Sequence, residues 1–318
     1  MRIVFMGTPE IAAVILNSMI GGQHNVAAVV TQPDRPKGRG REIIFSEVKK
    51  LAIKHQIPVY QPVRARDQEF IDMLKQLAPE LIVVVAFGQI LPKEILELPK
   101  YGCINVHASL LPKYRGASPI QWAIINGEQT TGVTIMYMAE GIDTGDMITK
   151  ELVEIAPEET GGSLHDKLAQ AGCTALHRAI EQIISGTVVR TPQEESQATY
   201  VGMLKKEMGH IDFRHSAQEI ERLVRGLSPW PSAYTALEGK MLKFWRCEAA
   251  ELTEEQKSVV CEKNWECGTI LAVEKDCFSV FARDSVLIVK ELQMEGKRRM
   301  GAEEFLRGNK VEPGQILR

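Results

Sequence analysis

A run of six consecutive aliphatic residues at 81–86 constrains the fold of this chain more than any other stretch. A strand that is apolar on both faces belongs to a sheet covered on both sides, as in parallel α/β sheets. Near the beginning of the chain, residues 2–6 form a strand-like run, a helical stretch continues to Met19, and a second strand-like run covers 26–31. This strand–helix–strand order predicts a parallel sheet.

The pattern continues through the first 188 residues. Helices are predicted at 46–55, 67–77, 118–126 and 163–184, and strands at 102–107, 132–138 and 149–155, the last at the sheet edge. Thr8 is predicted to cap the first helix, with Pro9 at its first position. Only Gly7 remains of the glycine-rich turn that binds dinucleotides, so dinucleotide binding is not expected.

A length of 318 residues favours two domains. The hydrophobic pattern breaks near 188–207, so we predict a first domain at 1–188, a linker at 189–207 and a second domain at 208–318. Ser216 and Glu219 form a capping box that opens a helix ending near Leu227. The short runs 241–247, 268–273, 277–281 and 285–291 then predict a small antiparallel barrel or sandwich.

Composition excludes several classes of protein. The net charge of −3 implies no particular partner, and residues 201–318 carry 19 basic and 19 acidic side chains. The six cysteines are scattered, and Cys261 and Cys267 have no histidine near them to complete a zinc set, so no metal is expected. No apolar run approaches the roughly 20 residues that span a bilayer, and no signal-peptide pattern is present. We therefore expect a cytoplasmic protein.

The candidate site begins with Asn105 and His107, two residues apart at the end of a predicted strand. Residues i and i+2 of a strand point to the same face, so the amide and the imidazole project together. Asp143 follows the next strand in a glycine-flanked turn. An amide donor, a titratable ring and a carboxylate suffice for acyl transfer to an amine. Taken singly, each residue is more often structural, in a turn or a buried contact.

Two loops are candidates for binding ligands. Residues 87–92 follow the aliphatic strand, where ligands sit in open α/β sheets, so they are predicted to form a pocket wall. Residues 32–41 are rich in Gly and Pro and contain more cations than acids. This basic loop is predicted to lack regular structure, and it is either a solvated surface loop or a mobile binding segment for a polyanion.

The stretch from Asn105 to Gly116, the turn 143–146 and the first strand–turn–helix together resemble the formyltransferase family that uses 10-formyltetrahydrofolate. Residues 31–40 and 228–231 are similar to the branch of that family that acts on initiator methionyl-tRNA. The likeness covers essentially the whole chain. It implies a Rossmann-like parallel-sheet catalytic domain, a linker, and a C-terminal OB-like β-barrel that helps to hold the tRNA.

The resemblance also implies roles for individual residues. Asn105 would donate to the formyl oxygen, His107 would polarise that oxygen or carry a proton, and Asp143 would hold the imidazole or a water. The implied folate site is lined by Phe87, Ile90, Leu91, Ser109, Leu110, Leu111 and Pro112. The implied tRNA contacts are Lys37, Arg39 and Arg41. We expect a monomer that uses 10-formyltetrahydrofolate as co-substrate.

Three other functions share part of this pattern. A folate formyltransferase acting on a nucleotide sugar or on glycinamide ribonucleotide needs neither the basic loop nor the second domain. A formyltetrahydrofolate deformylase uses the same three catalytic residues. A non-catalytic tRNA-binding module does not need Asn105, His107 and Asp143.

Overall fold

The computed structural model describes residues 1–37 and 42–318, with the backbone alone at 35–37, 42 and 43. In chain order the strands are β1 (Arg2–Gly7), β2 (Asn25–Val30), β3 (Arg35–Lys37), β4 (Glu42–Ile44), β5 (Val59–Tyr60), β6 (Leu81–Val85), β7 (Cys103–His107), β8 (Arg115–Gly116), β9 (Thr130–Tyr137), β10 (Met147–Glu154), β11 (Tyr200–Val201), β12 (Ala233–Leu237), β13 (Lys240–Glu251), β14 (Ile270–Val273), β15 (Phe278–Ala282), β16 (Ser285–Met294) and β17 (Met300–Gly301). The helices are α1 (Glu10–Met19), α2 (Glu47–Lys54), α3 (Gln68–Leu77), α4 (Lys93–Leu96), α5 (Pro119–Ile125), α6 (Gly161–Ser185), α7 (Ala217–Gly226), α8 (Glu254–Glu262) and α9 (Ala302–Gly308).

The described chain divides into two units. The first comprises Met1–Pro119, Thr130–Glu154 and His165–Val201, and the second comprises Ile120–Gln129, Ile155–Leu164 and Gly202–Arg318. The domain boundaries expected from the sequence, near 188 and 207, stay a prediction. No helix among residues 1–37 and 42–318 combines the length and the apolar character needed to cross a bilayer.

The main sheet of the first unit has the strand order β10-β9-β7-β6-β1-β2-β5. The strands from β7 to β5 are parallel, whereas β9 pairs antiparallel with β7 and β10 pairs antiparallel with β9. All five residues of β6 are buried, as its aliphatic composition requires. The edge position of β10 is confirmed, because it is the first strand of this order and pairs with β9.

Two local predictions about the first unit are wrong. Thr8 does not cap α1, since Pro9 takes the N-cap position without a side-chain hydrogen bond. The Thr8 hydroxyl instead accepts a hydrogen bond from the backbone N–H of Gln32 at 3.3 Å. The basic loop is also not wholly irregular, because its residues Arg35–Lys37 form β3, which pairs antiparallel with β4 directly after the loop. The Gly and Pro residues of the loop favour turns, but they do not prevent this short antiparallel pairing.

The second unit contains an antiparallel sheet with the order β12-β13-β16-β15-β14, and β17 pairs with β16. Helix α7 packs its buried residues Ile220 and Val224 into the same core as Phe244 and Phe278. Its predicted capping box is confirmed: the Ser216 hydroxyl accepts from the Glu219 backbone, and the Glu219 carboxylate accepts from the Ser216 N–H. This reciprocal cap fixes where α7 begins.

The last residues of the chain join the two outer strands of this sheet. Ala236 of β12 exchanges two backbone hydrogen bonds with Arg318. Ile270 of β14 donates to the carbonyl of Gln315, and Leu317 donates to that of Gly268. Residues 315–318 therefore close the sheet into a barrel and cover both edges. The predicted fold class, a Rossmann-like parallel α/β domain followed by an OB-like β-barrel, is confirmed.

Candidate active site

Strand β7 presents two polar side chains where it emerges from the sheet of the first unit. It lies between parallel β6 and antiparallel β9, so Asn105 faces Val84 on one side and Met136 on the other. Because side chains alternate along a strand, Asn105 and His107 share a face while Val106 points to the other. Asn105 is half-buried and His107 is buried.

The structure brings Asp143 to both of these side chains. Its Oδ1 accepts a hydrogen bond from Nδ2 of Asn105 at 3.3 Å, and its Oδ2 accepts one from the backbone N–H of Gly116 at 2.8 Å. The Nδ1 atom of His107 lies 3.6 Å from the same Oδ2. Because a carboxylate only accepts hydrogen bonds, the Asn105 atom that faces it is the amide nitrogen.

The tautomer of His107 follows from its other contact. Its Nε2 lies 2.9 Å from the carbonyl oxygen of Tyr114, and a carbonyl only accepts, so Nε2 carries a hydrogen. Nδ1 therefore holds the lone pair of the neutral ring and faces Asp143. A proton taken up at Nδ1 would lie beside a carboxylate whose side chain is 15% exposed, where an ion pair is weakly screened.

The Ser109–Pro112 stretch is held from within. The Ser109 hydroxyl donates to the carbonyl of Lys113 at 2.6 Å. Thr134 donates to the carbonyl of Ser109 and accepts from the N–H of Leu111. Leu111 is fully buried, whereas Leu110 and Pro112 keep part of their surface exposed. Leu110 and Pro112 are thus the side chains of this stretch that a ligand can reach, whereas Ser109 and Leu111 are buried. The assignment of all four residues to a folate site stays a prediction.

Lys150 adds a second clamp on the same stretch. Its Nζ donates to the carbonyl of Leu111 at 2.5 Å. Burial lowers the pKa of this ammonium group, because desolvation disfavours its charged form. Neither Lys150 nor Thr134 is marked by a sequence motif. Both lie on strands whose pairing brings them to this loop, so only the fold identifies them.

The predicted folate residues in the loop after β6 differ in how much of their surface is exposed. Phe87 and Leu91 are 2% and 4% exposed and belong to the core of the first unit, whereas Ile90 is 79% exposed. The Gln32 side chain donates to the carbonyl of Phe87 at 2.9 Å and ties the loop to the end of β2. Ile90 is thus the side chain of the three that a ligand can reach, and all three assignments stay predictions.

The predicted tRNA residues fall largely outside the described part of the chain. Arg39 and Arg41 lie outside the described residues, and Lys37 is described only by its backbone, in β3. Sequence reasoning also missed a contribution from the segment predicted as a linker. Gln193 of that segment contacts the backbone of the Asp143 turn.

Comparisons with known proteins find matches to both parts of the chain. The model of the formyl transferase family matches residues 1–180, and the model of the formyl transferase C-terminal domain matches residues 203–310. A methionyl-tRNA formyltransferase of Clostridioides difficile (strain 630) is 51% identical over 317 residues, covering 100% of both chains. The methionyl-tRNA formyltransferase of Lachnospira eligens is 50% identical and covers 100% of this chain and 99% of its own.

Solved structures share the fold at much lower identity. The N-formyltransferase from Helicobacter canadensis, crystallised with folinic acid and dTDP-3-aminofucose, has a TM-score of 0.65 and 19% identity, covering 94% of this chain and 99% of its own. HypX from Aquifex aeolicus in complex with tetrahydrofolic acid has a TM-score of 0.63 and 17% identity, covering 99% of this chain and 51% of its own. At such identities the likeness concerns the fold alone.

Proposed function

The chain belongs to the formyl transferase family, and from that membership we propose that it transfers the formyl group of 10-formyltetrahydrofolate to the α-amine of methionine on initiator methionyl-tRNA. The observation that carries the proposal is the 51% identity to a methionyl-tRNA formyltransferase across the whole of both chains. The product is formylmethionyl-tRNA, which serves translation initiation.

The reaction sets two demands on the protein. The methionine amine attacks the formyl carbon, so a new C–N bond forms while the bond to N10 of the folate breaks. Negative charge develops on the formyl oxygen, the amine loses a proton, and N10 gains one. The site must therefore supply a hydrogen-bond donor for the oxygen and a group that moves the proton.

Asn105 is the proposed donor. Its amide nitrogen carries two hydrogens, one of which is directed at Asp143 Oδ1. The second hydrogen would donate to the formyl oxygen, and the contact with Asp143 fixes the orientation of the amide. A neutral amide keeps this ability at any working pH, because it does not titrate.

His107 is the proposed proton carrier. Because Nε2–H is directed at the carbonyl of Tyr114, Nδ1 is the ring atom that would accept the proton of the attacking amine. Asp143 would stabilise the resulting imidazolium and hold the ring in place. This orientation favours proton transfer over direct polarisation of the formyl oxygen by a neutral His107, since Nδ1 has no hydrogen to donate.

The proposed folate contacts come from the two loops near the carboxyl ends of β6 and β7. Ile90, Leu110 and Pro112 are the predicted residues with exposed surface, and they would face the flat ring. Phe87, Leu91, Ser109 and Leu111 are buried, so we propose that they shape these loops. When bound, the co-substrate supplies the formyl group.

For the tRNA we propose that Lys37, Arg39 and Arg41 contact the phosphates, since cations beside glycines suit a polyanion.

We further propose that a single chain suffices, because Asn105, His107 and Asp143 all come from one chain. All six cysteines are free thiols, which supports a reducing compartment, the cytoplasm.

The direct test is a transfer assay with a labelled formyl donor. Initiator methionyl-tRNA, free methionine and a dTDP amino sugar are offered as acceptors, and formate release is measured alongside. We expect label on the tRNA alone. Label on the amino sugar would instead support a small-amine formyltransferase, and release of formate without any acceptor would support a deformylase.

A further inference from the structure

The segment 191–201, here called the strap, lies along the first unit and is bound to it on both sides of the candidate site. Thr191 exchanges two backbone hydrogen bonds with Met147, which follows the Asp143 turn. At the other end β11 pairs with β8, whose Gly116 donates to the Asp143 carboxylate. The strap therefore joins the two backbone stretches that flank Asp143.

Gln193 is the strap residue that contacts the turn itself. Its Nε2 donates to the carbonyl of Asp143 at 2.7 Å and to that of Gly145 at 2.8 Å. Its Oε1 accepts from Nε of Arg115 at 3.0 Å. Both carbonyls only accept and the guanidinium only donates, so the amide has one possible orientation. A glutamine fits these contacts, and a glutamate does not.

Arg115, which donates to the Gln193 amide, is itself held by other residues of the strap. Its side chain is 1% exposed, and its Nη1 donates to Glu195 at 2.8 Å and to the Tyr200 hydroxyl at 2.7 Å. A buried guanidinium is costly without such partners, so Arg115 is held in one place. It adjoins Gly116, and it fixes the position of the Gln193 side chain.

The turn that Gln193 holds is conformationally demanding. Asp143 has a φ of 53°, in the left-handed region that disfavours residues with a side chain. A Cβ added at Gly145 would lie 1.7 Å from the carbonyl oxygen of Tyr137. External contacts must hold such a backbone. The two hydrogen bonds from Gln193 fall on this turn.

We propose that Gln193 is a positioning residue for the reaction: through the Asp143 and Gly145 carbonyls it keeps the Asp143 carboxylate directed at Asn105 and His107. Arg115 supports it by orienting its amide. This inference rests on the proposed function, because it assigns Gln193 a task only through the role of Asp143.

The test compares Gln193→Ala and Gln193→Met with the matched control Gln197→Ala, an exposed glutamine of the same strap. We expect both Gln193 variants to lower kcat by about tenfold to a hundredfold with little change in KM for tRNA or folate, since small misplacements at a reacting centre have effects of that size. Gln197→Ala should keep the wild-type rate. Thermal unfolding checks that each variant folds, and the methionine variant retains the length of the side chain.

A double-mutant cycle separates positioning from a general structural effect. Asp143→Asn should lower kcat further than Gln193→Ala, and adding Gln193→Ala to it should change nothing more. Fully additive losses, or a wild-type rate in both Gln193 variants, would overturn the inference while leaving formyl transfer intact. A wild-type protein that transfers no formyl group to tRNA would overturn the proposed function itself.

Discussion

Side-chain chemistry alone sets the direction of each hydrogen bond around Asp143. The carboxylate accepts from Asn105 and from the backbone of Gly116, and the Tyr114 carbonyl accepts from His107. None of these acceptors can donate, so each contact has one direction. It follows that replacing the amide by a carboxylate of the same shape, at Asn105 or at Gln193, places two hydrogen-bond acceptors opposite each other. These contacts of the site are then lost.

The first prediction concerns Asn105. Replacing Asn105 with alanine should lower kcat by about 100- to 1,000-fold, the cost of losing one oxyanion donor in comparable enzymes. The KM for tRNA should change little, because this hydrogen bond strengthens only as charge develops on the formyl oxygen. Steady-state kinetics at saturating folate measure both quantities.

Asn17→Ala is the matched control, since Asn17 is exposed on α1. It should show wild-type kinetics. A parallel loss of tRNA affinity and turnover in Asn105→Ala would contradict a role confined to the transition state.

The Arg115–Glu195 pair makes a prediction about pH. Hydrogen bonding from Arg115 holds the pKa of the Glu195 carboxyl below its ordinary value. Such a group stabilises the fold above its unfolded pKa, about 4.3, and loses that contribution as the pH falls through its folded pKa. Glu195→Gln should therefore lower the free energy of unfolding at neutral pH, and the difference from wild type should shrink on acidification.

Urea unfolding at neutral pH and at several acidic pH values checks this. The control is Glu140→Gln, which removes another exposed carboxylate but leaves the Arg115–Glu195 pair intact, so it should lower the free energy of unfolding at neutral pH by less than Glu195→Gln does. A Glu195→Gln difference that grows as the pH falls would have the wrong sign for a carboxyl with a lowered pKa.

At the scale of elements, strand β7 lies where the sheet changes from parallel to antiparallel pairing. It is parallel to β6 and antiparallel to β9. The connection after β9 then carries Asp143 back to the side chains of β7. The periodicity of each strand predicts its existence, but pairing direction depends on the neighbours that pack on it. The contact between the two motifs is thus a property of the sheet.

The closure of the barrel leads to a prediction about Leu317. This side chain is 2% exposed and packs in the core of the second unit, within the segment that joins β12 and β14. Leu317→Ala should lower the free energy of unfolding by about 2–5 kcal/mol, as expected for a buried leucine. Tryptophan fluorescence follows the change directly, because Trp122, Trp230, Trp245 and Trp265 all lie in the second unit.

Leu152→Ala provides the comparison, since Leu152 is 69% exposed on β10. It should change the free energy of unfolding by no more than about 0.5 kcal/mol. Equal effects of the two substitutions would mean that residues 315–318 do not hold the barrel closed.

At the scale of the whole molecule, the six cysteines are predicted to differ in reactivity. Burial raises the pKa of the Cys103 thiol to about 12 and that of Cys247 well above its ordinary value. Cys261 is exposed. Because the thiolate is the reacting form, alkylation of the native protein should modify Cys261 first and leave Cys103 and Cys247 for last.

Timed labelling with iodoacetamide and mass spectrometry of the peptides measures this order. The denatured protein serves as the control, in which all six thiols should react at similar rates. Native Cys103 modified as fast as Cys261 would contradict the buried environment of β7.

Much of this protein follows from its sequence. The aliphatic run of β6, the capping box at Ser216 and the alternating runs of the second unit are local patterns, and local patterns fix which segments become strands and helices. The spacing of Asn105 and His107 likewise places both on one strand face. The sequence also identifies the amide, the ring and the carboxylate as the reacting groups, and it shows the resemblance to the formyltransferase family.

Only the tertiary structure decided how these parts meet. Gln193 contacts the Asp143 turn, which lies 50 residues away along the chain. Residues 315–318 close the barrel partly by pairing with Ala236 of the edge strand β12, about 80 residues earlier. Such contacts arise because packed strands satisfy their free backbone groups with whichever segment lies alongside. No local pattern encodes that partner, so the sequence determined the reacting groups and the fold decided what holds them in place.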